Sequence, residues 1–279
     1  MSLEQVTEAF NLGFQAYHLP MTQTQDGLAQ MIRENDVRLE NSFVLYVDEH
    51  IAGVGLVGQR EARGWVAGMG VAPAWRGQGI GGRLLEHLLV RMREVGLHQA
   101  QLEVLDINMP AIALYQRLGF VTQRKLEVYH GSLRRDGQRP QAVNSRPARI
   151  RAVGPRLALR EFDTFHSVAP AWQRERATIE RVRNAVEGLG LWDGGRLLAY
   201  VLFTRQNTGF ALLDGGASAA EAEVRRDHIA LLLGALADAT PDYIFRVINT
   251  PPGDALGDAL ALLGCPVIIT QREMALRLA

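Results

Sequence analysis

The sequence predicts an α/β fold laid out as two domains in tandem, and three observations lead there. From residue 42 onward, β-rich runs alternate with apolar stripes at helical spacing. A similar order returns after residue 187. The length, 279 residues with 47% hydrophobic content, lies where one core stops growing and chains divide.

Ser42–Val47 and Ile51–Val57 are strand-like runs around Asp48, Glu49 and His50, a hairpin signal. Trp65–Val71 is a third strand, weakened by Gly68 and Gly70. From Ile80 the apolar residues fall at Leu84, Leu85, Leu88, Leu89, Met92 and Val95, a helical stripe that stops at Gly96, where glycine can take the left-handed cap conformation. Ala100–Leu105 is the next strand. A short helix follows, with Asn108 near its start, Pro110 in its first turn, Ala111, Leu114, Tyr115 and Leu118 along one face, and Gly119 at its end. The expected core face of this helix is Leu114 and Leu118.

Gly131–Arg156 has seven arginines against Asp136 alone, three prolines and no apolar period, so it reads as a linker. This sets expected domains at 1–130 and 157–279. After the linker come a hairpin from Gly188 to Phe203 turning at Asp193–Gly195, a strand near Phe210–Leu213 and a helix carrying Val224, His228, Leu231, Leu232 and Leu236. A strand, Tyr243–Ile248, and a short helix with Leu256, Leu260 and Leu263 complete the second set.

The 30 basic and 30 acidic residues balance, which gives no footprint for nucleic acid. The longest apolar run, Ala259–Ile269, is broken by Gly264 and Pro266 and falls well short of the ~20 residues of a membrane span. One cysteine, Cys265, excludes an intrachain disulfide and suits a reducing compartment, and the start of the chain has no signal-peptide pattern. A cytoplasmic protein is expected. The histidines show no metal-ligand spacing, so no metal is expected.

The stretch Val71-Ala-Pro-Ala-Trp-Arg-Gly-Gln-Gly-Ile-Gly-Gly82 lies between a strand and a long amphipathic helix. Glycines there let backbone N–H groups converge, and the helix start adds unpaired N–H groups and partial positive charge, which suits a pyrophosphate. The alternative is a glycine turn that merely lets the helix pack close. Gly77, Gly79 and Gly82 also satisfy G-x-G-x-x-G, with Glu103 about 20 residues on. Five residues, Ala72–Arg76, separate strand from first glycine, and three strands come first, so the spacing argues against a dinucleotide fold.

The loop and the block after it resemble the GNAT superfamily of acetyl-CoA-dependent N-acetyltransferases. Arg76, Gly79 and Gly81 match Q/R-x-x-G-x-G/A, and Asn108, Ala111, Leu114, Tyr115, Gly119 and Phe120 match N-x-x-A-x-x-L-Y-x-x-x-G-F. The resemblance is sharp over about residues 42–125 and only topological after the linker. It implies two GNAT-like domains, each a mixed, mostly antiparallel twisted sheet flanked by helices. It also implies a role for each residue of the site. Met69, Gly70 and Val71 would pair with the pantetheine arm of acetyl-CoA, and the Val71 N–H would polarise the thioester carbonyl. Arg76, Gly77, Gln78, Gly79, Ile80, Gly81 and Gly82 would hold the pyrophosphate. Asn108, with Ala111 in the same turn, would bind the pantetheine chain, and Tyr115 would protonate the departing thiolate. Glu103, in a Leu-Glu-Val setting similar to that of the ribosomal-protein N-terminal acetyltransferases, would deprotonate the amine, unless ordered water does so. A surface or salt-bridged carboxylate is the alternative reading of Glu103, and a core aromatic that of Tyr115.

The second half has Gly215 and Gly216 but no R-x-x-G-x-G. Counting back from Gly264 puts Leu260 at the position of Tyr115, and counting back from Asn249 puts Ile244 at that of Glu103. A catalytically silent repeat is expected, with the two halves forming a pseudo-dimer within a monomer. The expected partner is an amine acceptor, a small molecule favoured over a peptide. A non-catalytic acyl-CoA sensor or partner-binding module is the alternative function.

Overall fold

A computed structural model describes residues 1–133 and 149–278. Two compact units divide the chain: Met1–Arg124 with Arg272–Ala279, and Lys125–Gln271. The boundary therefore falls inside a strand at Arg124, ahead of the basic segment. Of that segment, residues 134–148 lie outside the described residues. Its end is structured rather than linker, since Arg149–Ala152 forms a strand and Pro155–Ala158 a turn of helix.

The first unit opens with helix α1 (Leu3–Gly13), whose start is fixed by a reciprocal cap between Ser2 and Gln5. Helix α2 (Gln25–Glu34) is capped by Thr24. Strands β1 (Phe43–Val47) and β2 (His50–Arg60) form an antiparallel hairpin whose two-residue turn, Asp48–Glu49, has positive φ at both positions. Strand β3 (Arg63–Val71) pairs antiparallel with β2, and β4 (Gln99–Leu105) pairs parallel with β3. Helix α3 (Ile80–Glu94) makes the β3–β4 crossover, and α4 (Met109–Arg117) follows β4. Leu85, Leu88, Leu89 and Met92 of α3 bury against Val57, Val66, Leu102 and Val104. Met274 and Leu276, from the end of a strand spanning Val267–Arg277 (β11 in chain order), and Leu278 just after it join the same cluster, and Leu278 N–H donates to the His98 carbonyl.

The second unit repeats the plan. After β5 (Val121–Gly131) and β6 (Arg149–Ala152) come three short helices, α5 (Pro155–Ala158), α6 (Phe162–Phe165) and α7 (Arg176–Val182). The hairpin β7 (Glu187–Asp193) and β8 (Arg196–Gln206) leads to β9 (Gly209–Ala217), α8 (Ala222–Ala239), β10 (Ile244–Thr250) and α9 (Ala255–Leu262). Register makes the duplication concrete. Each hairpin carries a bulge one residue before its last two pairs, at Leu45/Tyr46 and at Leu191/Trp192. The pairing of second with third strand is interrupted in both sets, opposite Leu56/Val57 and opposite Leu202/Phe203, with the extra residue on the third strand. The third and fourth strands of both sets pair in parallel over three residues. No helix of the described residues is long and apolar enough to cross a membrane.

Candidate active site

The bulge on β3 determines the site. Leu56 pairs with Gly68 and Val57 with Val66, which leaves Ala67 as the extra residue. A bulge bends its strand and increases the twist. The parallel ladder with β4 accordingly runs through Arg63–Gln99, Gly64–Ala100 and Trp65–Gln101 and stops there. Past Trp65 the two strands splay.

Ala72 N–H donates to Ala52 at 2.9 Å, next to the Gly53–Val71 pair. Backbone N–H groups alternate sides along an antiparallel strand, so those of Gly70 and Ala72 turn toward β2 and those of Met69 and Val71 toward the splay. Between Val71 and α3 the chain makes a 3₁₀ turn at Pro73–Trp75 and then passes through Gly77 (φ +75°) and Gly79 (φ +78°), the latter capping α3 in the left-handed conformation. A Cβ at either glycine would meet nothing, so the dihedral, not space, requires glycine there. The result is an open backbone cradle at a helix N-terminus, a fit for a pyrophosphate. Gly81 and Gly82 lie beside Leu114, Ile80 is buried, and the Gln78 amide folds back onto the Ala74 carbonyl.

Arg76 takes a different part from the one its place in the loop suggests. Its guanidinium donates to three backbone carbonyls, Val71 at 2.8 Å, Gly13 at 3.2 Å and Gln15 at 2.6 Å. It thereby ties the end of α1 to the end of β3. The same contact explains Gly70: a Cβ on it would come within 2.7 Å of the Gly13 backbone.

Asn108 caps α4, its Oδ1 accepting from Ala111 N–H at 3.3 Å. The Asn108 side chain also bonds the Tyr17 hydroxyl. Burial raises the Tyr17 phenol above its ordinary range, and that bond offsets part of the rise. Tyr115, with Ile112, is on the buried side of α4, while Leu114 and Leu118 are only half-buried, so the expected core face is rotated. Its ring lies 5.9 Å from that of Phe120. Burial first, and then the neighbouring Tyr17, push the Tyr115 phenol far above its ordinary value, so it stays protonated through the neutral range. Glu103 is half-buried on the strand face opposite Leu102 and Val104, and its Oε2 accepts from the Trp65 indole N–H at 2.7 Å.

Sequence reasoning missed Tyr17 and Trp65 as members of this group. Tyr17 had only an aromatic signal, in the run Phe10, Phe14, Tyr17, His18, whose adjacent rings lie 4.5 to 5.4 Å apart. Trp65 had none, because its approach to Glu103 depends on the ladder register.

The second unit has the same splay, its β9–β10 ladder stopping at Ala211–Arg246 beside a bulge at Leu213. Here the chain's own turn, Trp172–Arg174, bridges the diverging strands. Arg174, 1% exposed, donates to the Leu213 carbonyl at 3.4 Å and to Asp254 at 2.8 Å, and lies 3.7 Å from Asp214. Asn249 donates to Gln173. Asp254, which caps α9, occupies the place of Asn108. Asn249 is therefore not the counterpart of Asn108, and the ladder register instead aligns Glu103 with Ile248. Asp214 is fully buried among His166, Tyr200 and Arg174. Burial alone would raise its carboxyl, but the charge and hydrogen bond of His166, with Arg174 and Tyr200, hold it below the usual range. Burial opposes the His166 charge too, yet Asp214 and the Phe162 carbonyl lift that imidazole to about 9. Cys265 is buried, which pushes its thiol up to about 11, the wrong direction for a nucleophile.

Residues 4–120 match the model of the acetyltransferase (GNAT) family. This segment belongs to that family. The chain is 37% identical over 68 residues to N-alpha-acetyltransferase MAK3 of Arabidopsis thaliana, covering 24% of this chain and 36% of that protein. It is 48% identical over 50 residues to streptothricin acetyltransferase of Streptomyces lavendulae, covering 18% and 26%. Mycothiol acetyltransferase of Pseudarthrobacter chlorophenolicus is 36% identical over 77 residues, covering 28% and 24%. The chain thus spans only about a quarter to a third of these relatives. Over nearly its whole length it superposes on a tandem GNAT protein from the clavulanic acid biosynthesis pathway, with TM-score 0.67 and 13% identity, covering 99% of this chain and 95% of that one. A GCN5-related N-acetyltransferase from Sphaerobacter thermophilus gives 0.69 at 12% identity, covering 98% and 92%. At such identities the likeness is one of fold, and it extends the tandem arrangement to the second unit.

Proposed function

We propose that this protein is an N-acetyltransferase that binds one acetyl-CoA, in its first unit, and passes the acetyl group directly to a primary amine. One observation carries the reading. The β3–β4 ladder ends at Trp65–Gln101, and the Val71 N–H turns into the opening directly ahead of the Gly77–Gly79 cradle.

Each step then falls to a named group. The Arg76–Gly82 backbone would hold the pyrophosphate, the outer edge of Met69–Val71 and the Asn108 side chain the pantetheine arm. Val71 N–H stabilises the negative charge that grows on the carbonyl oxygen as the amine attacks, a fixed donor more useful to the transition state than to the ground state. Glu103 takes the proton from the amine. Tyr115 gives its proton to the departing thiolate, and burial keeps its phenol protonated until then.

The relatives' names include an N-alpha-acetyltransferase and a streptothricin acetyltransferase. We favour a small-molecule amine over a peptide N-terminus, because the end of α1, held by Arg76 and followed by Phe14 and Tyr17, confines the acceptor side. Calorimetry should give one acetyl-CoA per chain, and Gly79→Val, which forces a β-branched residue to φ +78°, should weaken binding at least tenfold. Unchanged affinity in a folded Gly79→Val protein would refute the cradle. Thiol release with a panel of amines tests transfer itself. Binding without release for any amine would leave an acyl-CoA sensor or partner-binding module instead.

A further inference from the structure

We infer that Trp65 is a positioning residue for Glu103: its indole N–H, at the last rung of the β3–β4 ladder, fixes the orientation of that carboxylate where the two strands part. This rests on the proposed role of Glu103 as the base. The placement follows from register. Trp65 pairs with Gln101, so Glu103 is the next residue of β4 on the same face, the first beyond the point where the strands part. Gly64 and Val66, the neighbours of Trp65, face the α3 side, as Leu102 and Val104 do. Trp65 and Glu103 therefore share the opposite face, and the 2.7 Å bond between them crosses the strands at the apex of the opening. Trp65 is buried, so the indole cannot swing away without losing its packing.

A base at this position has to be charged when the amine arrives and has to point at it. An N–H donor to a carboxylate favours the ionised form and restricts its rotamer. Titratable and charged groups on the surrounding elements are Arg63, which donates to Gln101, the Arg124–Glu273 pair, Asp106 with Arg272, and Tyr17 and His18 from the α1–α2 segment.

The test needs no acceptor. With the chain labelled at the glutamate side-chain carboxyl carbons, the Glu103 resonance is the one missing in Glu103→Gln. Trp65→Phe keeps a flat aromatic ring and removes the donor, and the Glu103 titration midpoint should rise by about one pH unit. In the unmutated chain the Trp65 indole N–H resonance should follow the same titration, and it should become pH-independent in Glu103→Gln. That second measurement stands even where Trp65→Phe fails to fold. Once an acceptor is found in the amine panel, the acidic limb of kcat/KM should move upward with the midpoint. An indole resonance blind to the titration, or a midpoint unmoved by Trp65→Phe, overturns the inference about Trp65. Wild-type turnover by Glu103→Gln overturns the base reading instead, and the two failures are distinguishable.

Discussion

Tyr115 and Arg76 show how little of a side chain's part is settled by its position in a motif. Tyr115 lies in the core cluster and yet its phenol interacts with Tyr17, so packing and chemistry are not alternatives for it. Tyr115→Phe retains the packing and removes the proton. Single-turnover rates should fall by roughly 10² to 10⁴ with acetyl-CoA affinity largely kept. A near-wild-type rate would make the residue purely structural. Arg76 holds α1 against β3 through three carbonyls. Arg76→Met should therefore raise KM for the amine severalfold more than KM for acetyl-CoA. Equal increases in both would return the guanidinium to the phosphate.

At the scale of elements, the hairpins, α3 and the cap of α4 were legible because each is set locally, by period, by turn residues and by a capping side chain. What sequence reading missed depends on pairing across distance. The Ala67 bulge that opens the cleft has no local signal, nor does the face of α4, which α3 and the Met274–Leu278 segment decide. The plug in the second cleft was also illegible, since Arg174 is far in sequence from Asp214 and Asp254. That plug makes a pH prediction. His166 is charged below pH 6.5 whether folded or not, so its contribution to stability is complete there. As pH rises toward about 9 the unfolded chain loses the proton while the folded one keeps it, and the contribution declines and is gone above that. Denaturation followed by tryptophan fluorescence should show stability falling between pH 6.5 and 9 by an amount on the order of 3 kcal/mol. His166→Gln should flatten that slope, and a slope that persists would assign it to another group.

On the scale of the whole molecule, the division of the chain differs from the one its composition suggests. A basic, proline-containing stretch looks like a border, but the segment Arg272–Leu278 contributes to the core of the first unit. Met274 is fully buried, Arg272 pairs with Asp106 at 2.7 Å and Glu273 with Arg124 at 2.6 Å. Stopping the chain after Gln271 removes the buried side chains of Met274 and Leu278, each worth about 2–5 kcal/mol, that of Ala275, and two ion pairs. Such a protein should lose acetyl-CoA binding measured by calorimetry, although every residue of the proposed site is still present. Full binding would show that the segment is dispensable.

The Met274–Leu278 contact also bears on how the protein is made. The cradle, Glu103 and Tyr115 are all translated before β5 ends, but the core that holds them lacks a strand until residues 272–278 have been added. At ribosomal speeds of ~5–20 residues per second, the intervening stretch takes from several to about thirty seconds to synthesise. Throughout that interval the nascent first unit exposes the apolar side that Met274 and Leu278 will cover, which makes it a target for chaperones. A message that stops early would yield a polypeptide carrying the whole proposed site on an unfinished sheet.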